Sequence, residues 1–538
     1  MAGYPEIPLI RHIASPDESL EQPPFQGNLY NSRPSFTVID LFGAGEYWQR
    51  TTIEVLPEDV LLEIFDFYRM YAIEQSPGRP WKWHHLAHVC RGWRHVISRS
   101  PRRLVLRILC EYGAPIGSIL DYWPTLPLVA TFSAGPKSKH IPGNVMAALR
   151  RPDRLCEIDV HVTSSMLAPI VEVIQKPCKA LENIRITVEV PTGPSILVHN
   201  AFLGGSAPHL REIKLRGIAF PFPEIRRVLL STNNLVELQL ANIPNDAYLA
   251  PNDLVTGLST LSQLKRLMID FHSHAPSPPP SMAHPPPQRA TLPSLESLDF
   301  HCASGYLEEF IARIDLPSLR KIAIRLFSDI FFEIPQLCQF ILRLNTLRCP
   351  ARVIVKHSAD SVRVYFGEEK VEDEDENCFL GTSCRRLDWQ LSFATEILTQ
   401  LAFLLPSVHS LYIQGGNELP TGEEDVDSTQ WLELLQPFTN VTQVYFSVKQ
   451  LVPSIVQALA AEEMTAEVLP ELIVLHLSGY LSSPSVANVA EKFVSMRSLS
   501  GCPVSLISGD EVCHCPSYHI ITLSNSMSSW SWTRTGRN

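Results

Sequence analysis

The 538-residue chain has no excess of positive charge: 45 Lys and Arg stand against 56 Asp and Glu, for a formal net charge of −11. A general nucleic-acid binder needs a basic footprint to neutralise phosphates, so nucleic acid is not an expected partner. No apolar run approaches the ~20 residues that span a bilayer, and no membrane association is expected. Met1–Arg11 lacks the charged-then-apolar order of a secretory signal. Twelve cysteines are scattered from Cys90 to Cys515 without a dense framework. Reduced thiols in the cytoplasm and/or nucleus are the simplest reading. Catalytic signatures are missing too: there is no GxSxG elbow, no GxxxxGK[ST] loop, no GxGxxG after a strand and no kinase set. His84, His85 and His88 form an HHxxH run, but His85 stands where metalloproteases need Glu. Cys513-His514-Cys515 has no second pair of ligands at finger-like spacing. The expectation is a chain with no catalytic residues, no bound metal and no cofactor, hence not an enzyme.

What is present is proline, 44 residues spread along the chain, the mark of many short elements divided by turns. Residues 1–50 are rich in Pro, Ser and Asn and read as an irregular leader. Then Val60, Leu61, Ile64, Phe65 and Tyr68 give a helix an apolar face. Pro57 sits where a first turn tolerates it, and Glu58 and Asp59 suit the positive end of the helix dipole. Pro77-Gly78 and Pro80 stop that helix. A second helical pattern follows through Leu86, Val89, Cys90, Trp93 and Ile97. The stretch Arg79–Arg107 holds eight Lys or Arg and no acid.

From residue 155 a different pattern recurs, with alternating apolar residues behind a leading one. It starts at Leu155, Leu181, Leu210, Leu235, Leu264, Leu295 and Leu319, and in weaker copies at Cys384, Val408, Val441 and Leu472. Period two makes each copy a strand, and a quasi-period of this size signals stacked supersecondary units. Helical spacing lies between them, at Leu167–Ile174, Leu307–Ile314, Leu337–Leu344 and Trp431–Phe438. Strand-then-helix repeats give parallel strands backed by helices. Eleven strands at ~4.8 Å would make a concave sheet roughly 50 Å long, the size of a protein ligand. The proline-rich segment Pro276–Pro287 cannot join a sheet. Residues 350–383 break the period and hold the acidic run Glu368–Glu376. They read as an insertion or as a divergent repeat around Val353–Val355 and Val362–Phe366.

The run LPEDVLLEIFDFY (Leu56–Tyr68) followed by LAHVCRGWRHVI (Leu86–Ile97) resembles the F-box. That family opens on Leu-Pro and closes on a Val-Cys-Arg-x-Trp signature, here Val89, Cys90, Arg91 and Trp93. With the repeats behind it, the chain resembles the large F-box families of mushroom-forming fungi. It departs from them in the Pro- and Trp-bearing insert between the two blocks, and in repeats without the usual asparagine. The resemblance implies an α/β architecture: a small three-helix F-box over 51–110, linker helices over 111–154, and an irregular leucine-rich-repeat-like solenoid over 155–522. Loop inserts fall near 275–290 and 367–383, and a disordered tail over 523–538. It also implies a substrate-recognition subunit of an SCF-type cullin–RING ubiquitin ligase. The F-box would dock a Skp-type adaptor, and through it cullin, by Leu56, Pro57, Glu58, Val60, Leu61, Ile64, Phe65, Val89, Cys90 and Trp93. The repeats would hold a protein substrate. A scaffold acting outside a ligase, and a repeat-domain interaction module, stand open as alternatives.

Overall fold

The structure is a computed structural model that describes residues 56–534 except 76–83, 88, 101–106, 111–119, 121–124, 136–139, 190–201, 219–221, 245–248, 273–288, 328–331, 345–348, 369–377, 416–425, 448–450, 462–466, 479–483, 510–518 and 522–532. The leader, the proline-rich segment and nearly all of the acidic run therefore lie outside the described residues. So do Cys513-His514-Cys515 and most of the tail. The chain divides into two compact units, residues 1–58 and 59–538, and only Leu56–Glu58 of the first is described.

Three helices come first: α1 (Glu58–Gln75), α2 (His84–Ala87) and α3 (Arg91–Arg99). The strands follow as β1 (Ile108–Cys110), β2 (Leu128–Ser133), β3 (Leu155–Val162), β4 (Asn183–Val188), β5 (Glu212–Arg216), β6 (Glu237–Ile243) and β7 (Arg266–Phe271). Next are β8 (Ala290–Thr291), β9 (Ser297–Cys302), β10 (Ile314–Asp315) and β11 (Lys321–Leu326). Then come β12 (Arg352–Ser358), β13 (Ser361–Gly367), β14 (Cys378–Ser383), β15 (Ser410–Gly415), β16 (Gln443–Phe446), β17 (Val474–Ser478) and β18 (Ser505–Gly509). All but β8 and β10, which pair with each other, belong to one mixed sheet dominated by parallel pairings. Such a sheet, with helical crossovers between strands, is compatible with a solenoid of stacked repeats.

The physical basis of each repeat is visible in β3. Ile158, Val160 and Val162 are buried against the helix layer, while Glu157, Asp159 and His161 lie on the open side. The leading residues Leu181, Leu210, Leu235, Leu264 and Leu295 are buried as the chain turns into each strand. One residue ahead of the strands, backbone bonds already run from repeat to repeat: Arg211 N to Glu182 O (2.7 Å), Val236 N to Arg211 O (2.8 Å) and Lys265 N to Val236 O (2.8 Å). Buried leucines thus fix the register while the backbone satisfies itself.

Three expectations change, and of the two readings left open for residues 350–383 one fits. The Cys384 copy is not a strand but the start of the helix Leu387–Gln400. Leu387, Leu391, Ala394 and Leu398 recur at helical spacing and are buried, whereas Trp389, the middle of the alternating reading, is exposed. The region of expected linker helices holds the helix Gly143–Leu149 but also β2, which pairs in parallel with β1 and β3, so the sheet begins before residue 155. The break at 350–383 is an insertion: β13 is antiparallel to both β12 and β14, while β14 continues β11 in parallel and β12 precedes β15 in parallel. In space the order is therefore β11-β14-β13-β12-β15. At the far end Thr533–Arg534 pairs with His519–Ile520, so those two tail residues form a short strand.

A buried polar contact pins the inserted strands to the helix behind them. His357 Nδ1 lies 2.9 Å from Gln390 Oε1, and Gln390 Nε2 donates to the carbonyls of Ser358 (2.8 Å) and Cys384 (2.7 Å). Since that amide spends its N–H groups on carbonyls, His357 must carry its proton on Nδ1. The Trp431 ring meets the imidazole edge-on at 6.2 Å between centroids. No helix among the described residues is long and apolar enough to cross a membrane.

Candidate functional site

Two surfaces stand out, one on the first helices and one on the sheet. On α1 the apolar residues divide between two faces. Leu61, Leu62 and Phe65 point inward, with Phe65 fully buried. Val60 (42 % exposed), Ile64 (38 %), Phe67 (76 %) and Tyr68 (36 %) form a second stripe that faces solvent. Positions i, i+4, i+7 and i+8 share one helical side, so the stripe follows from helix geometry. Leaving a phenyl ring this exposed forgoes ~1.5–3 kcal/mol of burial, which a partner could recover.

The inner face is held by α3. The Phe65 and Trp93 rings meet at 4.7 Å between centroids. Trp93 is placed by the start of its helix: Cys90 caps α3, its Sγ accepting from Trp93 N at 3.3 Å, as a serine hydroxyl would. Arg94 Nε donates to Ala87 O at 3.0 Å, tying α3 to α2. Val89 is exposed, as are the basic Arg91, His95 and Arg99.

The ten expected docking residues therefore separate. Val60, Ile64 and Val89 are accessible, and Leu56, Pro57 and Glu58 are exposed at the end of the first unit. Leu61 and Phe65 are interior, while Cys90 and Trp93 are half-buried and organise the start of α3. Phe67, 76 % exposed, is absent from that set. Its signal was its spacing of three from Ile64 and seven from Val60.

The second surface is the side of the sheet away from the helices. The strand register carries one row of residues across it. From β3 to β9 the row reads Asp159, Arg185, Lys214, Gln239, Met268 and Asp299. Its charges and those of the neighbouring rows pair with one another. Arg185 contacts Asp159 (3.1 Å) and Glu212 (3.0 Å), and Lys214 contacts Glu212 (3.1 Å) and Glu237 (2.8 Å). Arg266 Nε donates to Glu237 at 3.0 Å, and His301 Nδ1 lies 2.8 Å from Asp270. Burial pushes the Glu237 carboxyl up, but bonds from Arg266 and Lys214 outweigh it and hold the group below the usual carboxylate range. At Asp299 burial wins instead, and the carboxyl sits above its usual range despite Arg325.

Past Ala323 the same row turns aromatic. It runs through Phe379, Tyr365, Ile354, Tyr412, Tyr445 and His476, then reaches Ile507. The Tyr412 and Tyr445 rings stack at 4.3 Å and 3°, and Tyr445 stacks on His476 at 4.0 Å and 9°. Tyr365 meets Phe379 at 5.3 Å. One row along lie the exposed Lys356 and Arg363, and the Arg363 guanidinium stands 5.9 Å over the Phe379 ring.

No protein-family model matches this chain, and no curated protein matches it in sequence. Among solved structures it is similar to the one described as the crystal structure of the Rad7 and Elc1 complex in yeast. The two are 13 % identical with a TM-score of 0.26, over 80 % of this chain and 94 % of that one. At that identity and score the likeness decides neither fold nor function.

Proposed function

We propose that the chain is a non-catalytic substrate receptor of a cullin–RING ubiquitin ligase. In this reading α1–α3 form an F-box that docks a Skp-type adaptor, and a leucine-rich-repeat-like sheet holds the protein to be modified. The observation that carries it is the divided helix α1. A core-facing Leu61–Leu62–Phe65 side is locked by Trp93, and the Val60–Ile64–Phe67 stripe is left for a partner, within the two sequence blocks that resemble the F-box. An apolar helical stripe of this kind suits helix-in-groove recognition. The acid-free basic face of α3 favours an acidic partner and its approach. Leu61, Phe65, Cys90 and Trp93 then serve docking by positioning the stripe rather than by touching the adaptor. Transfer chemistry takes place elsewhere in the assembly, and this chain supplies proximity and orientation.

The test is co-purification with a Skp adaptor and a cullin. Wild type is expected to recover both, and Ile64→Asp with Phe67→Asp, two exposed positions where a carboxylate leaves the fold intact, to recover neither. Equal recovery by the double variant sinks the docking claim. Adaptor recovered without cullin favours a scaffold outside a ligase.

A further inference from the structure

We propose that the β12–β18 part of the open strand face is a docking surface for an extended polypeptide segment that carries carboxylates beside aromatic or branched apolar side chains. This deepens the target-holding half of the reading above and rests on it, but it does not depend on adaptor docking.

Three observations carry it. The first is where charge is already spent. Between β3 and β11 Asp159, Glu212, Glu237 and Asp299 are each paired with a base of the face, so a cationic partner there must break ion pairs to gain its own. From β12 to β18 the described open-face positions include no acid, and Lys356 and Arg363 are exposed. Glu368 follows the far end of β13, five residues from Arg363. The cationic row is therefore open to carboxylates.

The second is the geometry of the aromatic row. Tyr412, Tyr445 and His476 stack face on face along the sheet and are each half-buried. Ring edges carry the positive part of the aromatic quadrupole and accept carboxylate oxygens, while the ridge between them offers apolar contact. His476 is neutral at physiological pH, because burial brings its pKa down to about 4, so the row is apolar and the cations stand beside it. Single-stranded nucleic acid fits less well. Base stacking needs free ring faces, which these rings spend on each other, and two exposed cations make a small footprint for phosphates.

The third is how Arg363 is placed. Gly381 is the cross-strand neighbour of Arg363. A Cβ there would lie 2.7 Å from Val362 O and 3.0 Å from Arg363 Cγ, so any side chain would displace the arginine that stands over Phe379. Gly381 is itself buried, and the absence of a side chain there lets Arg363 lie across it. Seven strands at ~4.8 Å give a row roughly 29 Å long, which about nine extended residues would cover.

The experiment is fluorescence anisotropy on the full chain with a labelled nine-residue peptide alternating Asp and Phe. Parallel probes replace Asp by Lys, replace Phe by Ser, or are a nine-nucleotide single-stranded DNA. The Asp/Phe peptide is expected to bind saturably and the other three at least about tenfold more weakly. Lys356→Glu with Arg363→Glu, both exposed and so compatible with folding, is expected to weaken it about tenfold or more. Tyr445→Ala should also weaken it. Arg216→Glu, an exposed change on the charged half, should leave it unaltered, as should Ile64→Asp on α1. Absence of saturable binding, equal binding by the charge-reversed chain, or preference for the oligonucleotide each overturns the proposal. The adaptor test is separate, so a chain that recovers the adaptor yet ignores the peptide loses this inference alone.

Discussion

From Asp159 to Asp299 the central row of the open strand face is mostly charged, and its charges pair with one another or with those of the neighbouring rows. From Phe379 to Ile507 the same row, in unbroken register, is aromatic and aliphatic. On the helix side the two halves are alike, with Ile184, Ile213 and Leu238 matched by Leu411, Val444 and Leu475, all buried. The difference teaches that the helix-side layer is enough to build the sheet. The open side is then free to differ, either satisfied internally or left with something to offer. The changeover coincides with the inserted antiparallel strand β13, where the one-strand-per-repeat rule also breaks.

The comparison can be broken most severely from behind. Trp431 is fully buried against the inserted strands, and Trp431→Ala is expected to cost about 3–5 kcal/mol. Because repeats are held by their neighbours, amide exchange should accelerate most in β12, β15 and β16 and far less in β4–β6. Uniform acceleration would mean that the halves do not open separately. Acid should tell them apart as well. Burial holds His357 down to about 4 against an ordinary value near 6.5, so the unfolded chain binds its proton first. The stability is complete above pH ~6.5 and is lost as pH falls toward 4, by up to a few kcal/mol. In His357→Gln, denaturant melts between pH 7 and 4.5 should show a shallower loss.

In the charged half the corresponding change is Glu237→Gln. Glu237 is buried and joins Lys214 to Arg266, so its neutralisation is expected to cost about 1–3 kcal/mol at pH 7. With a folded pKa below the usual range, that contribution is present at neutral pH and lost as pH falls through the carboxylate range. Denaturation of wild type and variant should converge in acid. Smallest is salt. The exposed pairs of Arg185 are each worth under about 1 kcal/mol. Raising ionic strength from 0.1 to 1 M should quicken exchange slightly in β4 and β5 and leave β16 and β17 unchanged.

Much of the sheet was legible because the buried positions repeat. Leu155 through Leu319, and Val408, Val441 and Leu472, each lead a strand, since apolar residues facing one helix layer must alternate. Cys384 misled because Leu387 and Leu391, four residues apart, fit period two and period 3.6 alike over so short a stretch, and only the exposed Trp389 between them tells the two apart. The direction of β13 was not legible, because alternation is the same read forward or backward. On α1 the adjacent pairs Val60-Leu61 and Ile64-Phe65 looked like one broad face. Only Leu62 on one side and Phe67 on the other show that there are two. The aromatic row was hidden for a different reason: Phe379, Tyr365, Tyr412 and Tyr445 meet through cross-strand register, and variable repeat lengths conceal that register in the sequence.

The substrate-receptor reading is tested most directly by hydrogen exchange on the full chain with and without a Skp adaptor. The account predicts slowed exchange over residues 60–68 and 89–97, with the strand face from β3 to β18 unchanged. Unaltered exchange in α1 and α3 at saturating adaptor, or protection confined to the strand face, would contradict it.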